Sequence, residues 1–157
     1  MNMGVTYRDS GKNSEALELL TKSLAIKEKI LGEDEEVALG HFQLAFFYYR
    51  NTQEYGKAEG HFLEEARIVE KVHGPAHSGL GISFDWLIGL YQVTGEVEKE
   101  EEQQKKKEQW EKLQENKSKE EDNEEKKKEE KQNEMTLEEL IKFFTLSDSN
   151  EPQEYCG

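Results

Sequence analysis

Apolar residues recur at three- and four-residue spacing through most of the first ninety-five positions, then nearly vanish. Over Glu15–Leu31 they fall at Ala16, Leu19, Leu20, Leu24, Ile26, Ile30 and Leu31, with Lys and Glu opposite, which predicts an amphipathic helix. Ser14 stands where an N-cap belongs, and Gly32 follows where a left-handed residue closes a helix most cheaply. The next stretch, Glu35–Arg50, is apolar on nearly every side, so its helix must be covered on more than one flank. Tyr55–Val72 returns to an amphipathic pattern closed by Gly74-Pro75, and Ser78–Val93 is again apolar almost all round, ending at Thr94-Gly95. Residues 3–11 read as the end of a helix followed by a turn at Gly11.

The pattern also repeats. "ALELLTKSLAIKEKILG" at 16–32 returns forty-two residues later as "AEGHFLEEARIVEKVHG" at 58–74. Ala16/Ala58, Ile26/Ile68, Glu28/Glu70, Lys29/Lys71 and Gly32/Gly74 are identical. Self-similarity at a fixed period marks a stacked-repeat architecture, in which no unit buries enough surface alone. The alanines fall where two helices would cross closely.

From Glu96 to Glu134 only Val97, Trp110 and Leu113 are large and apolar. The first part of this stretch, to about residue 115, is expected to be helical and to dock through Trp110 and Leu113. Residues 116–134 read as an extended single helix, a coiled-coil strand or a spacer; a heptad apolar seam is missing, and with nothing to offset the entropy of ordering a solvated, disordered Glu/Lys spacer is the favoured expectation. A short helix follows over 135–147. Thr136 and Glu139 make a capping-box pattern, and Leu137, Leu140, Ile141 and Phe144 form an apolar docking face. Residues 148–157 are expected to be a disordered tail. The fold class is therefore all-α: an α-solenoid of two and a half to three repeats (units of about 1–32, 33–74 and 76–115), a charged spacer and a short C-terminal helix.

Charge and candidate chemistry narrow the function. A net charge of −14 speaks against nucleic acid and against an anionic membrane surface. No apolar run approaches membrane-spanning length, so no direct membrane insertion is expected. The single Cys156 builds no disulfide framework and suits a reducing cytosol or nucleus; in a mobile tail it is also badly placed as a nucleophile. His73 and His77 have helical spacing, but Gly74-Pro75 interrupts the helix and no cysteine joins them, so they read as loop histidines and no metal is expected. Gly79-Leu-Gly81 lacks the rest of a phosphate loop. No cofactor is expected, and no residues support an enzyme.

Met3-Gly4-x-x-Tyr7 with Gly11 and Ala16 resembles the tetratricopeptide consensus, as do Leu44-Ala45-x-x-Tyr48 with Tyr55 and Ala58, and Leu87-Ile88-x-x-Tyr91 with Gly95. The usual unit has 34 residues; the 42-residue unit here resembles the kinesin light chain subclass. Glu100 departs from the consensus, standing where the helix alanine is expected. The resemblance implies a non-catalytic adaptor whose partners are proteins or peptide tails. Relatives are substrate receptors of cullin–RING ubiquitin ligases, whose ligase-docking region would lie upstream of the repeats and is not expected within this chain. Other relatives are motor-linked cargo adaptors, and a terminal solenoid cap is a third reading. The first helix lacks its opening turn, which reads as a fragment.

Carrying the family register over places Val5, Arg8 and Asp9, then Phe42, Phe46, Tyr49 and Arg50, then Asp85, Gly89, Gln92 and Val93 along the concave groove. Aromatic residues beside Arg50 would suit an extended peptide or a terminal carboxylate. The competing reading is that Phe42 and Phe46 pack against the next repeat while Arg50 is a solvated helix end.

Overall fold

The computed structural model describes the backbone of residues 3–148, and their side chains except at 3–10, 135, 147 and 148. Five α-helices follow one another: α1 (Met3–Leu31), α2 (Glu35–Phe47), α3 (Tyr55–His73), α4 (Gly79–Thr94) and α5 (Val97–Asp148). A π-helical turn, Tyr48–Thr52, continues α2. Each of the first three helices packs on the next in chain order. Met1–Gln114 forms one compact unit and Glu115–Gly157 a second.

The connections are set by a few residues. Gly32 takes φ +67° after α1, the left-handed conformation anticipated for it, and Asp34 then caps α2 by accepting the Glu36 N–H at 3.0 Å. From Tyr48 to Ala58 is one residue more than from Tyr7 to Ala16, and the π-helical turn, followed by Gln53 at φ +56°, lies within that longer stretch. Helix α4 begins one residue later than expected. Ser78 gives no cap bond, and Nδ1 of His77 accepts the Gly79 N–H instead.

The turn expected at Gly11 is absent. Helix α1 runs through residues 11–14, so Ser14 is interior rather than a cap. An uninterrupted helix gives the N–H groups there intrahelical partners, at roughly 1 kcal/mol for one glycine. The stripe on α1 also divides. Leu17, Leu20 and Leu24 face α2, while Leu19 and Ile30 stay 69% and 73% exposed, because one neighbour cannot cover so wide a face.

Helix α2, wedged between α1 and α3, buries Val37, Ala38, Leu44 and Ala45. Ala58 on α3 is fully buried, as a close crossing requires, whereas Ala16 is only half-buried. Phe62, Ile68, Leu87, Leu90 and Tyr91 complete the core.

Helix α5 corrects two expectations. It continues without interruption through 116–134, the expected spacer, and through 135–147, expected as a separate short helix. Between Gly95 and Pro152 the chain has neither glycine nor proline, and its Glu, Lys and Gln residues are strong helix formers. Spaced pairs such as Lys106–Glu102 (2.9 Å) add a few tenths of a kcal/mol each. Every described side chain over 115–146 is exposed, including Leu137, Leu140, Ile141 and Phe144. The tail from residue 149, with Cys156, lies outside the described residues.

Candidate functional site

An aromatic wall joins α2, α3 and α4. Phe42 and Phe46, one turn apart on α2, and Tyr49 in the π-helical turn converge on Trp86 of α4, with ring centroids 6.3, 5.4 and 5.5 Å away, all edge to face. Phe62 of α3 stacks on the same indole at 5.7 Å, and Tyr55 closes on Tyr49 at 5.6 Å. Such pairs contribute roughly 0.5–1.5 kcal/mol each beyond burial. Both readings of these aromatics therefore have a physical basis. Phe42 and Tyr49 are half-buried packing residues, while Phe46 leaves 39% of its surface open.

Trp86 is the hub, and the groove register missed it by one residue, choosing Asp85. The signal was available: in the alignment that sets Leu44 against Leu87, Trp86 corresponds to Gln43, so an indole stands where the preceding unit carries a polar side chain.

The other expected groove residues separate. Arg50 is exposed at the end of the aromatic stretch and makes no ion pair among the described residues. Asp85 accepts from Lys107 of α5 at 2.7 Å, and Gln92 donates to Glu100 at 2.9 Å, so both are turned toward α5. The open strip of α4 is instead Ile82 and Val93, 57% and 54% exposed, with Gly89 between them. Arg8, Asp9 and Val5 lie on α1, but their side chains fall outside the described residues.

Two polar clusters sit between the helices. His41, buried on α2, shares a proton with His61 of α3 across a 2.9 Å Nδ1–Nδ1 hydrogen bond, and its Nε2 lies 3.1 Å from Glu28. Burial and the neighbouring His41 lower the pKa of His61, and Tyr48 stacks on its ring. Glu65, buried on α3, accepts the Ser83 hydroxyl of α4 at 2.6 Å, and burial raises its pKa. The Gly74-Pro75 turn folds His77 back onto His73, with the rings stacked 4.3 Å apart. Among the described residues no group of three His, Cys, Asp or Glu side chains is arranged for a metal ion. Among them, too, no helix is long and apolar enough to cross a membrane.

The sequence model of the tetratricopeptide repeat family matches residues 1–34. No curated protein matches the chain. Among solved structures, that of BtubC (BKLC) from P. vanneervenii is similar, with a TM-score of 0.57 and 20% identity. The similarity covers 64% of this chain and 39% of BtubC. An identity that low speaks to the fold alone. The helix order, the buried alanine crossing, the match to the first unit and the structural likeness agree, and the fold is an all-α solenoid of tetratricopeptide type.

Proposed function

We propose that the chain is a non-catalytic protein-interaction module that takes an extended peptide, or the carboxyl end of a peptide, along the aromatic wall. The observation that carries this reading is the partly open Phe46 edge on a wall fixed by Trp86, on the same helical stretch as the exposed guanidinium of Arg50, which makes no ion pair among the described residues. The rigid aromatic surface supplies contact area with little entropy loss, and the guanidinium offers a planar fork of donors to a carboxylate. Ile82 and Val93 extend the apolar strip beyond the wall.

Within that class, we infer an adaptor or substrate receptor of a cullin–RING ubiquitin ligase. The stretches "EDEEVALGHFQLAFFYY", "YGKAEGHFLEEARIVEKVHG" and "HSGLGISFDWLIGLYQVTGEVEK" resemble the C-terminal repeats of amyloid protein-binding protein 2. That resemblance brings in the amyloid precursor's cytoplasmic tail as a candidate ligand. The 42-residue unit supports a second reading, a cargo adaptor of the kinesin light chain kind.

Affinity purification of the tagged chain from cells, with mass spectrometry, tests these readings together. The native chain is expected to retain peptide-tail proteins that a folded Phe46→Ala/Arg50→Glu variant loses. Unchanged partners in the folded double variant would remove the groove. Recovery of kinesin heavy chain without ligase subunits would move the chain to the motor-adaptor class.

A further inference from the structure

Helices α3, α4 and the first turns of α5 enclose a second groove of about 420 Å³. Its apolar surface comes from Leu63, Leu80, Phe84, Trp110 and Leu113. Phe84 turns to this groove and Trp86, two residues on, to the aromatic wall, so the two sites use different faces of α4. Trp110 acts as the wedge that holds the groove open. Its indole N–H donates to the His77 carbonyl at 3.0 Å, and its ring lies so close over Gly81 that an added Cβ would sit 2.5 Å from it.

Gln103 lies two turns before Trp110. Only 4% of it is exposed, it lines the groove, and its side-chain amide has no hydrogen-bond partner among the described residues. Its polar atoms are not sealed off, so they open onto the groove. A buried amide normally finds partners in protein or water, and one without a protein partner that opens onto a groove is available to a ligand. Its C=O and NH2 stand side by side, an acceptor next to a donor, which matches the N–H and C=O of a peptide group.

The rim argues against an anionic ligand, and Glu70 adds a carboxylate to it. Arg67 is held by Glu33 (2.7 Å) and Glu64 (2.6 Å), and Lys106 by Glu102 (2.9 Å). Those cations are already neutralised, so an anionic group has no unpaired partner there.

We infer that this groove is a second binding site, for an extended peptide segment without acidic side chains. One bulky aliphatic side chain packs on Trp110 and Phe84, and the backbone amide pairs with Gln103. This goes beyond the aromatic-wall reading and does not depend on it.

The test uses the full chain and two probes observed by NMR. N-acetyl-leucine N-methylamide carries the side chain and both peptide N–H groups; its depsi analogue has ester oxygens in place of both. The amide probe is expected to shift the Gln103 side-chain and Trp110 indole signals saturably, and the depsi analogue to bind about tenfold more weakly, the scale of one or two hydrogen bonds. Gln103→Leu is expected to abolish the difference between the probes while keeping a folded spectrum. Phe46→Ala/Arg50→Glu is expected to leave it unchanged, which separates this site from the aromatic wall. Absence of saturable shifts, or equal binding of both probes by the native chain, would overturn the proposal without requiring any variant to fold.

Discussion

Helix α3 and the opening of α5 occupy corresponding places in successive repeats, yet one is core and the other is not. Counting forty-two residues on from α3, Ala58 corresponds to Glu100, His61 to Gln103, Phe62 to Gln104 and Ile68 to Trp110. Ala58, Phe62 and Ile68 are essentially fully buried. Glu100 instead takes hydrogen bonds from Gln92 and Gln104, Gln104 is exposed, and Trp110 is a half-buried wedge. Close helix packing requires a small residue at the crossing and a bulky apolar one a turn later. Without them α5 is attached by side-chain bonds such as Lys99–Glu59 (3.0 Å) and Gln114 to the Ala76 carbonyl (2.6 Å), and a groove remains.

The sharpest way to break the comparison is to truncate the corresponding residues. Phe62→Ala is expected to cost about 3–5 kcal/mol, since it removes a ring touching both Phe42 and Trp86. Gln104→Ala should stay within about 0.5 kcal/mol. Urea unfolding of the two variants measures this, and equal losses would erase the distinction. Enlarging the crossing residues comes next. Ala58→Leu is expected to destabilise by about 1–3 kcal/mol through overpacking, and Glu100→Leu by far less, read as shifts in melting temperature.

A buried and a half-buried titratable group on α3, Glu65 and His61, sharpen the contrast through pH. The pKa of Glu65 is raised by burial from its ordinary 4.5, so its contribution is present below that value and lost as pH rises through the folded pKa. Glu65→Gln is therefore expected to raise stability at neutral pH by about 1 kcal/mol, with the gain fading in acid. His61 has the opposite sign. Its pKa is lowered from 6.5, so its contribution is present above that value and lost as pH falls through the folded pKa. His61→Gln should flatten the acid-side loss of stability in a pH series of urea midpoints; an unaltered slope would show that the His41–His61 pair does not govern it.

The most local effect belongs to the exposed length of α5. Lys126→Gly is expected to remove roughly 1 kcal/mol of local helix propensity, seen as reduced far-ultraviolet circular dichroism.

The repeat, the helices over 15–31, 35–47, 55–73 and 79–94, and the glycine after α1 were legible because periodicity and backbone preference are local properties. The 3.6-residue stripe and the cost of positive φ do not depend on what lies across the interface. Phe46 and Arg50 were placed on one helical stretch by the repeat register, which is local in the same sense. Trp86 was not, because its role depends on rings arriving from α2 and α3.

What the sequence determined by itself is the class of fold and the order of its helices. Tertiary structure decided where they join and what they leave open. It removed the turn at Gly11, split the α1 stripe between a packed and an exposed side, turned Asp85 and Gln92 toward α5, and left Gln103 facing a groove instead of a partner. The physical reason is the same in each case. Burial and hydrogen bonding are set by which surfaces meet, and a helix wheel shows only the surface that one helix offers.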